Sequence, residues 1–143
     1  MNFSQIHQIN KHLNTTTVAW SDLTHFLAQY KHYYKLDLSL TQVWSTKQQG
    51  FYIEYRLKGG FAGRDIYLNC PDLLHRQRVL IDGEQRLLSV QRFLNDEVPI
   101  FSGQCFSDFT DELPSTVTFV FNITSLQHND DIIKAKQLLN LHR

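Results

Sequence analysis

The residues with the most evident chemistry lie in one short segment, Val79–Leu87, which reads VLIDGEQRL. Its apolar residues predict a buried strand that ends at Ile81, and the Asp-Gly pair at 82–83 predicts a turn. The polar residues 84–86 then open an amphipathic helix. Such a strand–turn–helix unit presents unpaired backbone N–H groups at the start of its helix, which is where proteins bind anions.

The side chains of this segment suit phosphate chemistry. Gly83 allows a ligand to approach the backbone closely, and the guanidinium of Arg86 can hold phosphate oxygens. The carboxylates of Asp82 and Glu84 can hold a hydrated Mg²⁺ that bridges those oxygens, or orient an attacking water. Gln85 can orient the same water without changing the charge.

A structural interpretation of the same residues stands beside the chemical one. Asp82 is a good helix N-cap, Gly83 suits a turn, and Glu84 is favourable at the positive end of the helix dipole. Arg86 can cover apolar surface with its aliphatic stem. The residue types alone leave both interpretations open.

The elements before the motif are predicted from apolar spacing and caps. A first helix is expected over Phe3–Leu13, where Ile6, Ile9 and Leu13 fall at helical spacing, and a second helix after an N-cap at Ser21. The alternation of Lys35–Leu40 predicts a strand.

A capping box and a glycine pair delimit the next helix. Ser45 and Gln48 have the spacing of a capping box, and Gly59-Gly60 supplies the stop. Two short strands are expected next, at Asp65–Asn69 and Arg78–Asp82.

The C-terminal part of the chain predicts one more strand and one more helix. Thr116–Ile123 alternates and gives the clearest strand pattern, and Asn129 is expected to cap the last helix, with acidic residues in its first turn. Helices and strands intermix, so the predicted class is α+β, with a small mixed sheet in a single domain over residues 1–143.

Composition narrows the classes of function. The 143 residues carry 14 basic and 14 acidic side chains, so a general polyanion binder is not expected. The charge is uneven: residues 1–81 hold nine basic and five acidic residues, and residues 82–143 hold five basic and nine acidic. No membrane span or signal peptide is evident, so a cytoplasmic protein that does not bind membranes is expected.

Other reactive side chains offer weaker signals. Cys70 and Cys105 have no base beside them in the sequence, and the seven histidines are scattered, so neither a thiol nucleophile nor a zinc site is expected. The stretch Tyr30–Lys35 mixes aromatic and basic residues, which suits nucleic-acid stacking and also the edge of a core helix.

Several segments resemble one family. The block from Val79, VLIDGEQRLLSVQRFLNDEVPIF, resembles the DGQQR signature of the N-terminal domain of the GmrSD-type restriction family. Trp44–Arg64 resembles that family's Trp-led helix ending in Gly-Gly, and DIYLNCP at 65–71 resembles the strand that follows. Phe106–Phe121 resembles a later strand region, so the likeness spans roughly residues 20 to 141.

The resemblance implies a fold and an activity. The fold would be ParB/sulfiredoxin-like, and the activity would be nucleotide hydrolysis in phage defence, with Mg²⁺ and a nucleoside triphosphate. Gly83, Arg86 and, within a matching block, Arg64 would bind phosphates, while Asp82, Glu84 and Gln85 would serve the metal ion or the water. No HNH-like cluster is present in the sequence, so DNA cleavage by this chain alone is not expected.

Two other functions remain open on the sequence. The chain can be a non-catalytic interaction protein, a phage or mobile-element decoy or a regulator of a larger restriction or defence protein. Direct DNA binding in the ParB manner is the third alternative, and the neutral charge argues against it.

Overall fold

Five strands form one mixed sheet in the computed structural model, which describes residues 1–29, 34–35, 43–71 and 78–141. The strands are β1 (Asn14–Ala19), β2 (Tyr34–Lys35), β3 (Asp65–Asn69), β4 (Val79–Asp82) and β5 (Thr118–Thr124). Their order across the sheet is β1-β5-β3-β4-β2. The pairs β1–β5 and β3–β4 are antiparallel, and the pairs β3–β5 and β2–β4 are parallel.

Among the described residues four helices accompany the sheet: α1 (Leu23–Ala28), α2 (Thr46–Leu57), α3 (Glu84–Leu94) and α4 (Asn129–Asn140). The capping box predicted at the start of α2 is confirmed, because Ser45 Oγ accepts from the Gln48 N–H at 3.1 Å and the Gln48 side chain accepts from the Ser45 N–H. Gly59, two residues past α2, has a φ of +96° and ends the helix as expected.

The two faces of the sheet are covered differently. One face carries the main core, in which Ile66, Leu80 and Phe121 of the strands pack with Ile53 of α2 and Val90 of α3. On the opposite face α4 packs on β4, where Val79 and Ile81 contact Leu126 and Ile132. Strand β4 is therefore apolar on both faces, and all four of its residues are buried.

Most predicted elements are confirmed. Strand β3 has the predicted bounds, β4 begins one residue later than expected, and α3 follows directly after Gly83. The strand predicted at Thr116–Ile123 is observed as Thr118–Thr124. The α+β class with a mixed sheet is confirmed at this level.

Three predictions near helix starts are wrong. Phe3–Leu13 forms only a 3-10 turn at Phe3–Gln5, and its apolar residues are exposed, because no surface packs against them to stabilise a helix. A 3-10 turn at Trp20–Asp22 delays α1, so its N-cap is Asp22 and not Ser21. Asn129 is the first residue of α4, and His128 is its N-cap.

Two predictions fall largely outside the described residues. Of the strand expected at Lys35–Leu40, only Lys35 lies within a described range, as the last residue of β2. Most of the aromatic and basic stretch Tyr30–Lys35 also lies outside those ranges. Within residues 1–29, 43–71 and 78–141, no helix has the length and apolar character needed to cross a lipid bilayer.

Candidate functional site

A β-bulge shapes the end of β4, directly before the Asp-Gly turn at residues 82–83. Leu68 of β3 faces Leu80, but the next pair is Tyr67 with Asp82, so Ile81 is an extra residue on β4. Bulges bend a strand and redirect the side chains that follow, and they are common beside functional sites. Asp82, the last residue of β4, thereby becomes the cross-strand neighbour of Tyr67.

Gly83 makes the turn, and its backbone needs a glycine for two reasons. Its φ of +105° lies in the left-handed region, which side chains disfavour. A Cβ built on Gly83 would also lie 2.5 Å from Ile66 Cδ1, which is too close for any real contact. Ile66 of the core therefore leaves no space for a side chain on its side of the turn.

The predicted N-cap role of Asp82 is wrong, because the N-cap of α3 is Gly83. Asp82 remains the last residue of β4, and Gly83 offers no side chain to the first backbone N–H groups of α3. Only this part of the structural interpretation is wrong, since Gly83 makes the turn and Glu84 lies in the first turn of α3 as expected.

The carboxylate of Asp82 is paired with Arg86. Asp82 Oδ2 lies 3.6 Å from a terminal nitrogen of Arg86, one helical turn further along, and both side chains are largely buried. Arg86 also donates a hydrogen bond of 2.5 Å to the backbone carbonyl of Asp65 at the start of β3. Because it contacts both strands, Arg86 does more than cover apolar surface.

Gln85 is held by a distant part of the chain. Its side-chain oxygen accepts a hydrogen bond of 2.9 Å from the backbone N–H of Trp44, just before α2. Its backbone carbonyl accepts from the buried Ser89 hydroxyl at 2.6 Å. Gln85 itself is buried, so this contact fixes the orientation of its amide.

Charged and polar side chains lie around the phenol of Tyr67 on β3. Burial raises the pKa of Tyr67, the carboxylates of Asp65 and Asp82 raise it further, and Arg86 lowers it. Asn122 of β5, which faces Tyr67 across the parallel pair, donates to Asp65 Oδ1 at 3.2 Å. The motif therefore borders a polar patch on three adjacent strands, and period-two alternation in DIYLN could have indicated that Asp65 and Tyr67 share a face.

A buried lysine that the sequence interpretation missed reaches the same place. Lys136 of α4 is only 7% exposed, and its ammonium group donates to the backbone carbonyl of Ile81 at 3.2 Å. Its spacing from Ile132, i to i+4, placed it on the apolar stripe of α4, which was the available signal. A cation from α4 and a cation from α3 thus contact consecutive residues, Ile81 and Asp82.

The oxygen donors at this site suit Mg²⁺ better than a softer metal, because Asp82 and Glu84 supply carboxylates. Within the described ranges, no three His, Cys, Asp or Glu side chains come together as metal ligands. Two carboxylates fit a Mg²⁺ ion that takes its remaining ligands from water and from a phosphate chain.

Arg64 occupies a different position from the other predicted phosphate ligands. It is exposed and lines a cavity of about 260 Å³ together with Arg56, Gly59, Gly60 and Thr116. Arg86 lies against Gly63, which belongs to the same loop, residues 59–64, as Gly59 and Gly60. The structure therefore brings Gly83, Gln85 and Arg86 together with Asp82 and Glu84, and places Arg64 beside a second arginine.

Three side chains of α2 fasten this loop, residues 59–64. The Tyr52 hydroxyl donates to the Gly63 carbonyl at 2.6 Å, and the Arg56 Nε donates to the Gly60 carbonyl at 2.9 Å. The Tyr55 ring lies so close to Gly60 that a Cβ there would come within 2.3 Å of it. Burial raises the pKa of Tyr52, although Arg56 acts in the opposite direction, so its hydroxyl remains a donor at neutral pH.

The cysteines agree with a structural role. Cys70 is half-buried and packs against the main core, and burial raises the pKa of its thiol. A raised pKa disfavours the thiolate that a nucleophile requires.

Comparisons of the chain with family models, with curated proteins and with solved structures found no match. The resemblance of Trp44–Arg64 and of the block from Val79 to the GmrSD-type domain therefore stays a prediction from the sequence.

Proposed function

We propose that this chain is a nucleotide-phosphate-binding domain of the ParB/sulfiredoxin-like fold, related to the DGQQR domain of phage-defence restriction systems. One observation carries the proposal. Arg86 and the buried Lys136 converge on the end of β4, where Gly83 turns the chain into α3. Two cations and the positive end of an eleven-residue helix favour an anion at this turn.

The buried ammonium group of Lys136 beside the turn supports a negatively charged ligand. Asp82 compensates Arg86, and among the described residues the ammonium group of Lys136 has a hydrogen bond to a neutral carbonyl alone. A buried ammonium group without a carboxylate is costly, and a bound phosphate lowers that cost. Gly83 and Arg86 are the proposed phosphate contacts, and Arg64 stays a proposal that rests on the resemblance.

Mg²⁺ bound with the nucleotide would neutralise phosphate charge, and Asp82 and Glu84 are the residues proposed to hold it. Gln85 presents its oxygen to Trp44, so a ligand meets Gln85 as a donor through its amide nitrogen. A donor suits a phosphate oxygen better than it suits the activation of water. The geometry therefore supports phosphate binding more directly than hydrolysis.

The second candidate is a non-catalytic interaction protein that keeps the fold, acting as a decoy or as a regulator of a larger defence protein. The engagement of Arg86 by Asp65 and Asp82, together with that of Gln85 by Trp44, favours this candidate, because these groups already have partners within the chain. Co-purification with a larger DGQQR-containing protein from its host would support it.

Calorimetric titration with ATP, GTP, CTP and UTP in the presence of Mg²⁺ tests the first candidate. At least one nucleotide should bind, and Arg86→Gln should weaken that binding by about tenfold or more, since a charge-assisted contact contributes about 1.5–3 kcal/mol. Lys134→Gln is the matched control, because Lys134 is an exposed cation on α4. Absence of heat with all four nucleotides would reject phosphate binding, and release of inorganic phosphate would establish hydrolysis as well.

A further inference from the structure

A second cationic cavity lies beside the 59–64 loop, apart from the Gly83 turn. Its lining includes Arg56, Arg64, Gly59, Gly60 and Thr116, the last of these just before β5. No Asp or Glu is among its described lining residues. Among its described lining residues the cavity therefore has two positive charges and no carboxylate.

Arg56 is the unusual member of this lining, because its charge is buried. It is 5% exposed, and its three hydrogen bonds go to the Gly60 carbonyl, the Tyr52 hydroxyl and the Thr118 carbonyl, all of them neutral. A guanidinium has five N–H donors, so two of them remain after these three bonds.

The surroundings of Arg56 compensate its charge only in part. Its guanidinium carbon lies 5.3 Å from the centre of the Trp20 ring and 5.8 Å from that of Phe119. Such cation–π contacts are much weaker than the desolvation of a buried ion. Within the described residues no carboxylate lies within ion-pairing distance of Arg56.

We propose that this cavity is a binding site for a small oxyanion of the phosphate type, held between Arg56 and Arg64. Two guanidinium groups and the backbone of a glycine loop are the chemistry that recognises phosphate oxygens. The volume of about 260 Å³ lies below the range of roughly 300–1,000 Å³ that is typical of pockets for larger ligands. The site therefore fits inorganic phosphate or a terminal phosphate group, and not a whole nucleotide.

This site does not depend on the proposed function at the Gly83 turn. The two regions meet different parts of one loop, since Gly63 lies against Arg86 while Gly59 and Gly60 line the cavity. Tyr52 lies between them, bonded to Gly63 and to Arg56. Binding at either site can therefore be measured without binding at the other.

An amide-resolved NMR titration with inorganic phosphate, at ionic strength held constant with chloride, tests the site. Saturable changes in amide chemical shift are expected at Gly59, Gly60 and Thr116, and smaller changes are expected at Gly83. Sulfate should reproduce the shifts and acetate should do so weakly, because a tetrahedral oxyanion contacts both guanidinium groups. A phosphate monoester such as ribose 5-phosphate distinguishes a terminal phosphate group from free phosphate as the preferred ligand.

Two variants locate the binding without removing Arg56, which the fold uses. Arg64→Glu reverses a charge at the exposed side of the cavity, and Thr116→Glu adds one at an exposed position, so each should weaken phosphate binding by at least about tenfold. Lys134→Glu makes the same change of charge as Arg64→Glu, at an exposed position on α4, and should leave binding unaltered. Shifts confined to the Gly83 turn, no saturation, or equal weakening in Lys134→Glu would overturn the proposal.

Discussion

The backbone N–H of Trp44 donates to the side-chain oxygen of Gln85 over 2.9 Å, which ties the start of α2 to the first turn of α3. Trp44 also packs its ring 5.5 Å from the ring of Tyr52, whose hydroxyl holds the 59–64 loop. One glutamine at the motif is thus connected, through a tryptophan, to the loop on the other side of α2.

Gln85→Met should lower the free energy of unfolding by about 1–2 kcal/mol, because it keeps the length of the side chain and removes the acceptor of the Trp44 N–H. Gln91→Met is the control on the same helix, at a partly exposed position, and should change stability by less than about 0.5 kcal/mol. Urea denaturation measures both, and equal losses would contradict the structural role of Gln85.

Gly83→Ala should destabilise the fold by more than backbone strain alone. Strain in the left-handed region costs about 1–2 kcal/mol, and the new Cβ also meets Ile66. Gly103→Ala is a matched control, since Gly103 has a φ of +109° and open space around it. The difference between the two unfolding free energies measures the contact with Ile66, and it should shrink in an Ile66→Val background. An equal loss at both glycines would show that the turn is not closed by Ile66.

The pairing of Asp82 with Arg86 should appear as a coupling energy of about 1–3 kcal/mol in a double-mutant cycle with Asp82→Asn and Arg86→Met. Both side chains are shielded, at 7% and 15% exposure, so the coupling should persist in high salt. The Arg92–Glu97 pair at 4.0 Å is the comparison, because its carboxylate is 54% exposed. That pair should give less than about 1 kcal/mol and fade with salt. A coupling at Asp82 no larger than this would contradict the pairing.

Lys136→Met separates the ligand role of this lysine from its packing role. Methionine retains the apolar stem, so the unfolding free energy should change by less than about 1.5 kcal/mol, as for other swaps that conserve volume. If the ammonium group at Ile81 stabilises bound phosphate, the affinity for a Mg²⁺-nucleotide should fall about tenfold by calorimetry. Lys134→Met should leave affinity intact. Unchanged affinity in Lys136→Met would remove Lys136 from the site.

Stability should decline at high pH because of two partly buried phenols, those of Tyr52 and Tyr67. The pKa values of Tyr52 and Tyr67 are raised, chiefly by burial, so the folded state keeps its phenolic protons above about pH 10, where the unfolded chain loses them. Their contribution is complete below pH 10 and is lost as the pH rises through the folded pKa. Unfolding free energies measured across this range should show a shallower decline in Tyr67→Phe. An unchanged slope would contradict the raised pKa of Tyr67.

Local patterns predicted the elements that carry the motif. The run from Val79 and the Asp-Gly turn gave β4 and the start of α3, because side-chain alternation and turn chemistry depend on neighbouring residues. The N-terminal residues Ile6 and Ile9 show the limit of this reasoning. Their helical spacing has no effect where no surface lies opposite to bury them.

The topology of the fold decides which residues meet at the site, and the spacing of residues along the sequence does not reveal that topology. Lys136 reaches Ile81 only because α4 packs on β4, and Tyr67 faces Asp82 only because a bulge shifts the register. Asp82 was expected to cap a helix, and one residue of difference in the turn gave that position to Gly83. Nothing in the sequence indicated that Arg56 and Arg64 line one cavity, since they flank a loop whose path the sequence does not specify.

The position of β5 has a consequence for the order in which the molecule can assemble. This strand lies between β1 and β3, with Asp65 opposite Val120, so the sheet stays divided until the ribosome has delivered Thr118–Thr124. During synthesis β3 and β4 can form a hairpin-like unit early, but Asn122 and Lys136 arrive last. A nascent chain therefore carries the Asp-Gly turn for some time without Asn122 and Lys136, and the positive charge at Ile81 is added only after α4 has been synthesised.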